Sequence, residues 1–132
     1  MAKLNWKEDP DDHDYPAASD YLSLTVEPEM ATALVNRLRQ SPIIRRKAKD
    51  LLRASLLEPL PISNVHVAKD VAKVNKGKLL SPVLLVRGRL RDSIPLTIAD
   101  GCHRVCASYH IDEDADIPCR MIDLAGTTAR EG

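Results

Sequence analysis

A short strand, a glycine turn and a helix follow one another in residues 94–110, and this succession constrains the fold more than any other stretch. Residues 94–99 have the apolar composition of a buried strand, Asp100-Gly101 predicts a sharp turn, and residues 102–110 predict a helix. The first N–H groups of a helix lack intrahelical partners, and Gly101 would let the backbone approach a bound group closely. The layout therefore predicts an anion site at the start of the helix.

Three reactive or charged side chains follow this turn. A thiolate at Cys102 is favoured by a helix N-terminus and neighbouring cations, which makes Cys102 a candidate nucleophile. His103 and Arg104 are suited to phosphate contacts, Arg104 in a bidentate manner. The alternatives are that Cys102 only fills a position in the turn and that Arg104 pairs with Asp100 or Asp112.

Asp100 has three interpretations. A carboxylate beside a polyphosphate is repulsive unless Mg²⁺ lies between them, so Asp100 could be a metal ligand. It could also be a general base for a hydroxyl substrate. The third interpretation is that Asp100 only stabilises its own turn through backbone N–H groups.

Composition limits the class of protein. Apolar residues make up 44% of the 132 residues, which a single globular domain can bury. The formal charge is zero and the aromatic residues are one Trp and three Tyr, so a nucleic-acid surface is not expected. No apolar run is long enough for a membrane span, no signal region precedes the domain, and three cysteines form no disulfide framework. We therefore expect a cytoplasmic protein without membrane contact.

The N-terminal part predicts a tail followed by helices. Residues 1–20 are acidic and proline-containing, which predicts a mobile tail, and we interpret its Asp- and His-rich stretch 9–14 as a solvated arm rather than a metal site. Residues 21–26 alternate as a strand would. Within 21–58, helices starting at Pro28 and at Ser41-Pro42 predict a helical hairpin joined at 40–42. The basic face over 45–53 is interpreted as solvated rather than as a nucleic-acid patch.

Pro59 and Pro61 mark the start of a second part, 59–124, which is followed by a tail over 125–132. Asn64 predicts the cap of a helix over Val65–Asn75, and residues 83–86 predict a central strand. A last strand is predicted over 117–122. His66, Lys69 and Lys73 share one face of the Asn64-capped helix, where they would complement phosphates or form a solvated face.

Cys102, Cys106 and His110 recur every four residues along one helix, which is a spacing that metal ligands also use. A structural zinc site needs a fourth ligand, and Cys106 and Cys119 are better explained as small core residues. We therefore assign no protein metal site.

The motif Asp100-Gly101-Cys102-His103-Arg104 resembles the Gly-Gly-Cys-His-Arg signature of sulfiredoxins and the corresponding motif of the wider ParB/sulfiredoxin superfamily. In that superfamily a free-serine kinase has a motif that begins Asp-Gly-His. Residues 80–88 and 117–122 resemble the strands before and after the motif, and the resemblance spans about residues 60–124. It implies an α/β fold with a small mixed sheet flanked by helices, here with an N-terminal helical extension.

The resemblance also implies a function. It implies that a nucleoside triphosphate, ATP or CTP with Mg²⁺, is held at residues 101–104, with phosphoryl transfer or nucleotide hydrolysis as activities. In sulfiredoxins the cysteine matching Cys102 is the nucleophile of an ATP-dependent sulfinic acid repair, but Asp100 replaces their glycine. Sulfiredoxins use Lys, Ser and Thr at the spacing of His66, Lys69 and Lys73 to contact the nucleotide.

Two alternatives remain from other classes. One is a non-catalytic protein-interaction module that retains the fold, and the other is a sulfiredoxin-like cysteine enzyme using Cys102. A DNA partner is not expected, since the chain is too short to add the helix-turn-helix domain of partition proteins.

Overall fold

The computed structural model describes residues 3–124, which form a four-stranded mixed sheet and five α-helices. A 3-10 turn, Leu90–Asp92, lies between the second and third strands. This architecture confirms the predicted mixed α/β class. In chain order the elements are α1 (Asp14–Leu22), α2 (Pro28–Gln40), β1 (Ile43–Lys47), α3 (Ala48–Ala54), α4 (Val65–Asn75), β2 (Val83–Arg87), β3 (Thr97–Asp100), α5 (Cys102–Ile111) and β4 (Asp116–Asp123).

The sheet has the strand order β1-β4-β2-β3. β2 is parallel to β4 and antiparallel to β3, while β1 is antiparallel to β4. β2 is therefore an internal strand, as its unbroken apolar run predicts.

Helices cover both faces of the sheet, which explains why the apolar run of β2 is continuous. Val83 and Leu85 point into a core that they share with α3, α4 and α5. Leu84 and Val86 point into a second core that they share with α1 and α2. Since successive side chains of a strand point to opposite faces, residues 83–86 each face one of the two cores, and only Arg87 at the end of the strand is exposed.

The N-terminal segment departs from the predicted mobile tail and strand. Asn5 and Lys7 exchange backbone hydrogen bonds with Leu80. Residues 14–22 then form α1, and Tyr15 and Ala18 of this helix are buried in the second core. The tail prediction for residues up to 20 and the strand prediction for 21–26 are corrected, because the apolar side of α1 closes one face of the sheet.

The predicted helical hairpin is also corrected. α2 starts at Pro28 as expected, but Ile43–Lys47 is strand β1, and the next helix, α3, begins only at Ala48. The backbone of β1 pairs with β4, from Ile43 opposite Arg120 to Lys47 opposite Asp116. Tertiary pairing with an open strand edge here overrides a helical pattern of side chains.

The second half of the chain forms the elements that the sequence predicts. Asn64 caps α4, its side chain accepting hydrogen bonds from the backbone N–H groups of His66 and Val67. The strand–turn–helix unit appears as β3, Gly101 and α5. The predicted tail over 125–132 lies outside the described residues.

Candidate functional site

The start of α5 is an uncapped helix end. Gly101 is its N-cap residue with φ +108°, and no side chain caps the helix. The first backbone hydrogen bond inside the helix is donated by Val105 to the Gly101 carbonyl. The N–H groups of residues 102–104 therefore have no acceptor within α5, which is the property that attracts anions to helix starts.

Gly101 is required by packing as well as by its backbone angle. A Cβ added there would lie 2.5 Å from Cγ1 of Val83 and 2.9 Å from Nη2 of Arg104. The missing side chain therefore faces β2 and the Arg104 guanidinium. Packing within the fold therefore explains the glycine without the approach of a ligand, which is the explanation that the sequence alone suggests.

Arg104 holds the turn together. Its Nη2 donates to Oδ2 of Asp100 at 3.0 Å, to Oδ2 of Asp14 at 3.5 Å and to the carbonyl of Pro82 at 3.3 Å. The side chain is only 17% exposed. Of the two interpretations of Arg104, the structure shows the pairing with Asp100; Asp14 joins the pair, and Asp112 does not. The guanidinium still borders the cavity described below, but its positive charge is balanced within the fold.

The two carboxyl groups on Arg104 belong to a buried polar cluster. The Ser81 hydroxyl donates to Asp14, and the backbone N–H of Asp11 donates to Ser81 Oγ at 2.9 Å. Burial raises the pKa of Asp100, and the nearby Asp14 raises it further, while Arg104 opposes both. A raised pKa makes a carboxylate a stronger base, which is the direction of change that a general base in a cleft uses. This is the structural support for Asp100 as a general base.

α4 brings two of the three predicted basic side chains to this turn. The rings of His66 and His103 lie 4.6 Å apart between centroids, tilted by 38°. Burial lowers the pKa of His103, and the His66 charge lowers it further. Both histidines and Lys69 border a cavity of about 200 Å³, which Asp70, Asp100, Gly101 and Arg104 complete. Lys73 does not line this cavity; its Nζ lies 4.0 Å from Oδ1 of Asp70.

A larger cavity of about 520 Å³ adjoins the first. Both cavities are lined by Asp100, Gly101 and His103, so they meet at the turn. The larger one has mostly apolar walls, including Leu57, Leu96 and Ile98, and it also contacts Tyr21 of α1. Tyr21 is not predicted as a site residue, because residues 21–26 alternate in sequence as a strand would. The available signal for α1 is the helical spacing of Tyr15, Ala18 and Leu22, with Asp14 and Pro16 in the first turn.

Asp14 is the other residue that sequence analysis missed. It is buried, although the sequence places it in a solvated acidic arm. Its carboxylate lies within 4.8 Å of ligand atoms of Asp11 and His13, the one such group of potential metal ligands within residues 3–124. Asp11 is already paired with Lys7 at 2.6 Å and Asp14 with Arg104, so these carboxylates have protein partners.

Cys102 does not have the low pKa that the sequence predicts. A hydrogen bond with Cys106 and burial both raise the pKa of the Cys102 thiol. The same hydrogen bond, together with a backbone N–H from Leu60, lowers the pKa of Cys106 to about 6. Cys106 is fully buried, so Cys102, whose pKa is raised, is the thiol of the pair that lines the larger cavity.

Comparisons with known proteins add no assignment. The chain matches no protein-family model, no curated protein and no solved structure. The resemblance to the ParB/sulfiredoxin superfamily therefore stays a prediction. Among the helices within residues 3–124, none is both long and apolar enough to cross a bilayer.

Proposed function

We propose that this protein binds a nucleotide in the two adjoining cavities at the start of α5. The phosphates would occupy the smaller cavity, of about 200 Å³, and the nucleoside the larger one, of about 520 Å³. The observation that carries the proposal is the shared wall of Asp100, Gly101 and His103, which places a polar cavity with basic side chains beside an apolar one. Binding sites for small molecules combine apolar walls with a few convergent polar groups in this way.

The attraction for phosphate comes from several weak sources. Lys69 contributes a positive charge, His66 and His103 contribute ring nitrogens, and the first turn of α5 contributes free N–H groups. Arg104 stabilises the turn that presents these groups. We therefore give Lys69 and the two histidines the phosphate-binding role that the sequence gives first to Arg104 and His103.

The donor set also suits a nucleoside triphosphate such as ATP or CTP with Mg²⁺. Asp70 and Asp100 both line the smaller cavity. Mg²⁺ is usually held by one or two carboxylates together with phosphate oxygens and water, so these residues fit the ion. Of the two, Asp70 is the less engaged, since its recorded ion pair, with Lys73, is 4.0 Å long. Phosphoryl transfer or hydrolysis would use Asp100 as the base.

A non-catalytic interaction module is the second candidate function. The observation that favours it is the engagement of Arg104 with Asp14 and Asp100, which balances the strongest cation near the cavity. A sulfiredoxin-like reaction at Cys102 has less support, because the pKa of that thiol is raised. A relationship to ParB/sulfiredoxin proteins is part of the proposal in either case.

Thermal unfolding with a panel of nucleotides tests the proposal. ATP, CTP, GTP and ADP would each be added with and without Mg²⁺ to the full chain. A ligand that binds only the folded state raises the melting temperature in proportion to the logarithm of its concentration. We expect such a rise with at least one nucleotide, and we expect His66→Ala and Lys69→Ala to reduce it. Both side chains are exposed, so neither change should unfold the protein.

Lys76→Ala is the matched control, since Lys76 is an exposed lysine at the end of α4 and lines neither cavity. Its nucleotide response should equal that of the wild type. If no nucleotide raises the melting temperature, nucleotide binding is contradicted and the interaction module is favoured. If Lys76→Ala reduces the response as much as Lys69→Ala does, the ligand binds elsewhere.

A further inference from the structure

A third concavity, a groove, shares only Pro95 and Leu96 with the larger cavity of the candidate site and none of the lining of the smaller one. It has a volume of about 540 Å³ and lies between α3 and the connection from β2 to β3. A hydrogen bond from the Leu96 N–H to the Ala54 carbonyl, 2.9 Å long, joins these two segments. Leu51, Leu96 and Met121 are among its apolar lining residues.

Large apolar side chains are exposed at this groove. Leu90 is 95% exposed and Leu56 is 78% exposed, and both are part of the lining. Single exposed leucines are common on protein surfaces, but a cluster around a concave apolar surface is typical of a binding site.

Leu56 is unusual for a second reason. It follows the C-cap of α3 with φ +58°, in the left-handed region. The N–H of Leu57 donates to the Leu52 carbonyl and the N–H of Leu56 to the Arg53 carbonyl, each at 3.1 Å, which is the Schellman arrangement. Glycine is the residue that takes this position at least cost. The chain instead carries a leucine whose apolar side chain the fold leaves exposed at the groove.

The charges around the groove are mostly positive. Three arginines line it, and two of them are paired: Arg53 with Asp50 of the lining at 3.4 Å and Arg87 with Asp123 at 2.7 Å. Within residues 3–124, Arg46 forms no ion pair; its Nη1 donates only to the Arg45 carbonyl, at 2.9 Å. A groove with an apolar floor and a guanidinium rim is complementary to an apolar segment that carries carboxylates.

We propose that this groove, lined by α3 and residues 87–96, docks an acidic amphipathic segment of a partner protein. A symmetric contact between two copies would bring together two surfaces with the same excess of positive charge, which is less favourable than a partner that carries carboxylates. The acidic residues 112–116 of this chain carry no large exposed apolar side chain, so they do not supply the segment. The concave shape favours a peptide over a flat membrane surface.

A display library of random peptides tests this proposal, with the full chain as bait. Peptides enriched by selection would be synthesised and their dissociation constants measured by fluorescence anisotropy. We expect them to combine apolar residues with Asp or Glu, and to bind more weakly at higher salt. Leu90→Ser and Leu56→Gly should each weaken binding by about tenfold or more, as truncation of a central contact does. Leu56→Gly should also leave the melting temperature equal or higher, since it relieves the left-handed leucine.

Leu24→Ser is the matched control, because Leu24 is 80% exposed and does not line the groove. It should leave the dissociation constant unchanged. Enriched peptides that lack acidic residues, or that bind the Leu90→Ser and Leu56→Gly variants as well as the wild type, overturn the proposal. So does a wild-type dimer that these two changes convert to a monomer, or binding to phosphatidylserine vesicles that the same changes abolish. Nucleotide binding is measured separately, so either proposal can fail alone.

Discussion

Arg104 and Asp100 close the turn between β3 and α5, with Nη2 of the arginine 3.0 Å from Oδ2 of the aspartate. The pair brackets Gly101, whose missing side chain leaves room for the guanidinium. Asp14, which is distant in sequence, completes the contact from the first turn of α1. The turn that presents the free N–H groups of α5 is thus held from three parts of the chain.

Replacing Arg104 by alanine should destabilise the protein substantially. The change leaves Asp14, which is almost fully buried, without its cationic partner. Removing one member of a buried ion pair costs about 3 kcal/mol or more. Urea denaturation would measure the free energy of unfolding. Arg87→Ala is the control: that side chain is 59% exposed and pairs with Asp123 on the surface, so its loss should cost less than about 1 kcal/mol. Equal losses for the two variants would show that Arg104 does not hold the turn.

Alanine at Gly101 should be more harmful than alanine at Gly77. Both glycines have positive φ, +108° and +74°, so both changes carry a backbone cost of about 1 kcal/mol. At Gly101 the new Cβ would also collide with Val83, whereas at Gly77 it would meet open space. We expect a loss of about 3 kcal/mol at Gly101 and about 1 kcal/mol at Gly77, measured by chemical denaturation. A loss of stability at Gly101 that is no larger than the loss at Gly77 would contradict the packing explanation.

Ionisation of Asp100 should lower the free energy of unfolding as pH rises. Because its pKa is raised from 3.8, the folded chain binds more protons than the unfolded chain between that value and the higher folded pKa. The contribution of Asp100 is therefore fully present below about pH 3.8 and is lost as pH rises through the folded pKa. The difference in unfolding free energy between wild type and Asp100→Asn isolates this effect, and it should fall with rising pH.

Asp114, whose pKa is lowered, should affect the pH dependence of stability in the opposite direction. Lys49 lowers the pKa of Asp114, so the stability that this carboxylate contributes is present at neutral pH and is lost as pH falls through its folded pKa. The wild type minus Asp114→Asn difference should therefore rise with pH. Slopes of the same sign for Asp100 and Asp114 would contradict the assignment of a raised pKa to Asp100.

The sequence predicts the second half of the chain well, because its signals are local. The Asn64 cap, the apolar run of β2 and the Asp100-Gly101 turn each lie inside the element that they define or next to it. β1 is different: Ile43 and Ile44 follow Ser41-Pro42 as the start of a helix would, but β4 provides an edge for backbone pairing. That edge is formed by residues distant in sequence, and no periodicity within residues 41–54 reveals it.

The residues of the candidate site are likewise predicted where the signal is local and missed where it depends on distant parts of the chain. Gly101, His103, His66 and Lys69 were predicted and do lie around one cavity. The pairing of Arg104 with Asp100 is one of the two roles that the sequence offers. The part that Asp14 plays in it is not visible in the sequence, because local composition makes the segment of Asp14 look like a solvated tail. The pKa of Cys102 was mispredicted for a related reason. The helix terminus and nearby cations were visible, but the hydrogen bond to Cys106 depends on side-chain geometry.

Alkylation of the cysteines should be slow at neutral pH. The thiol that borders the larger cavity, Cys102, has a raised pKa, and Cys106 and Cys119 are fully buried. Since the thiolate is the reacting form, we expect the iodoacetamide reaction of Cys102 to accelerate only as pH rises well above neutral. Peptide mass spectrometry would measure the rate at each cysteine, with the urea-unfolded chain as the reference. Faster modification of Cys102 at neutral pH in the folded than in the unfolded chain would contradict this account.

The most direct test of nucleotide binding is an NMR titration of the ¹⁵N-labelled chain with ATP and with CTP, each with Mg²⁺. We predict saturable shifts of the amide signals of residues 101–104 and of His66 and Lys69, since phosphate would bond or face these groups. Amides near the Arg-lined groove, such as Leu90, should not move. Saturating nucleotide that leaves residues 101–104 unshifted, or that shifts only amides elsewhere, would contradict the account.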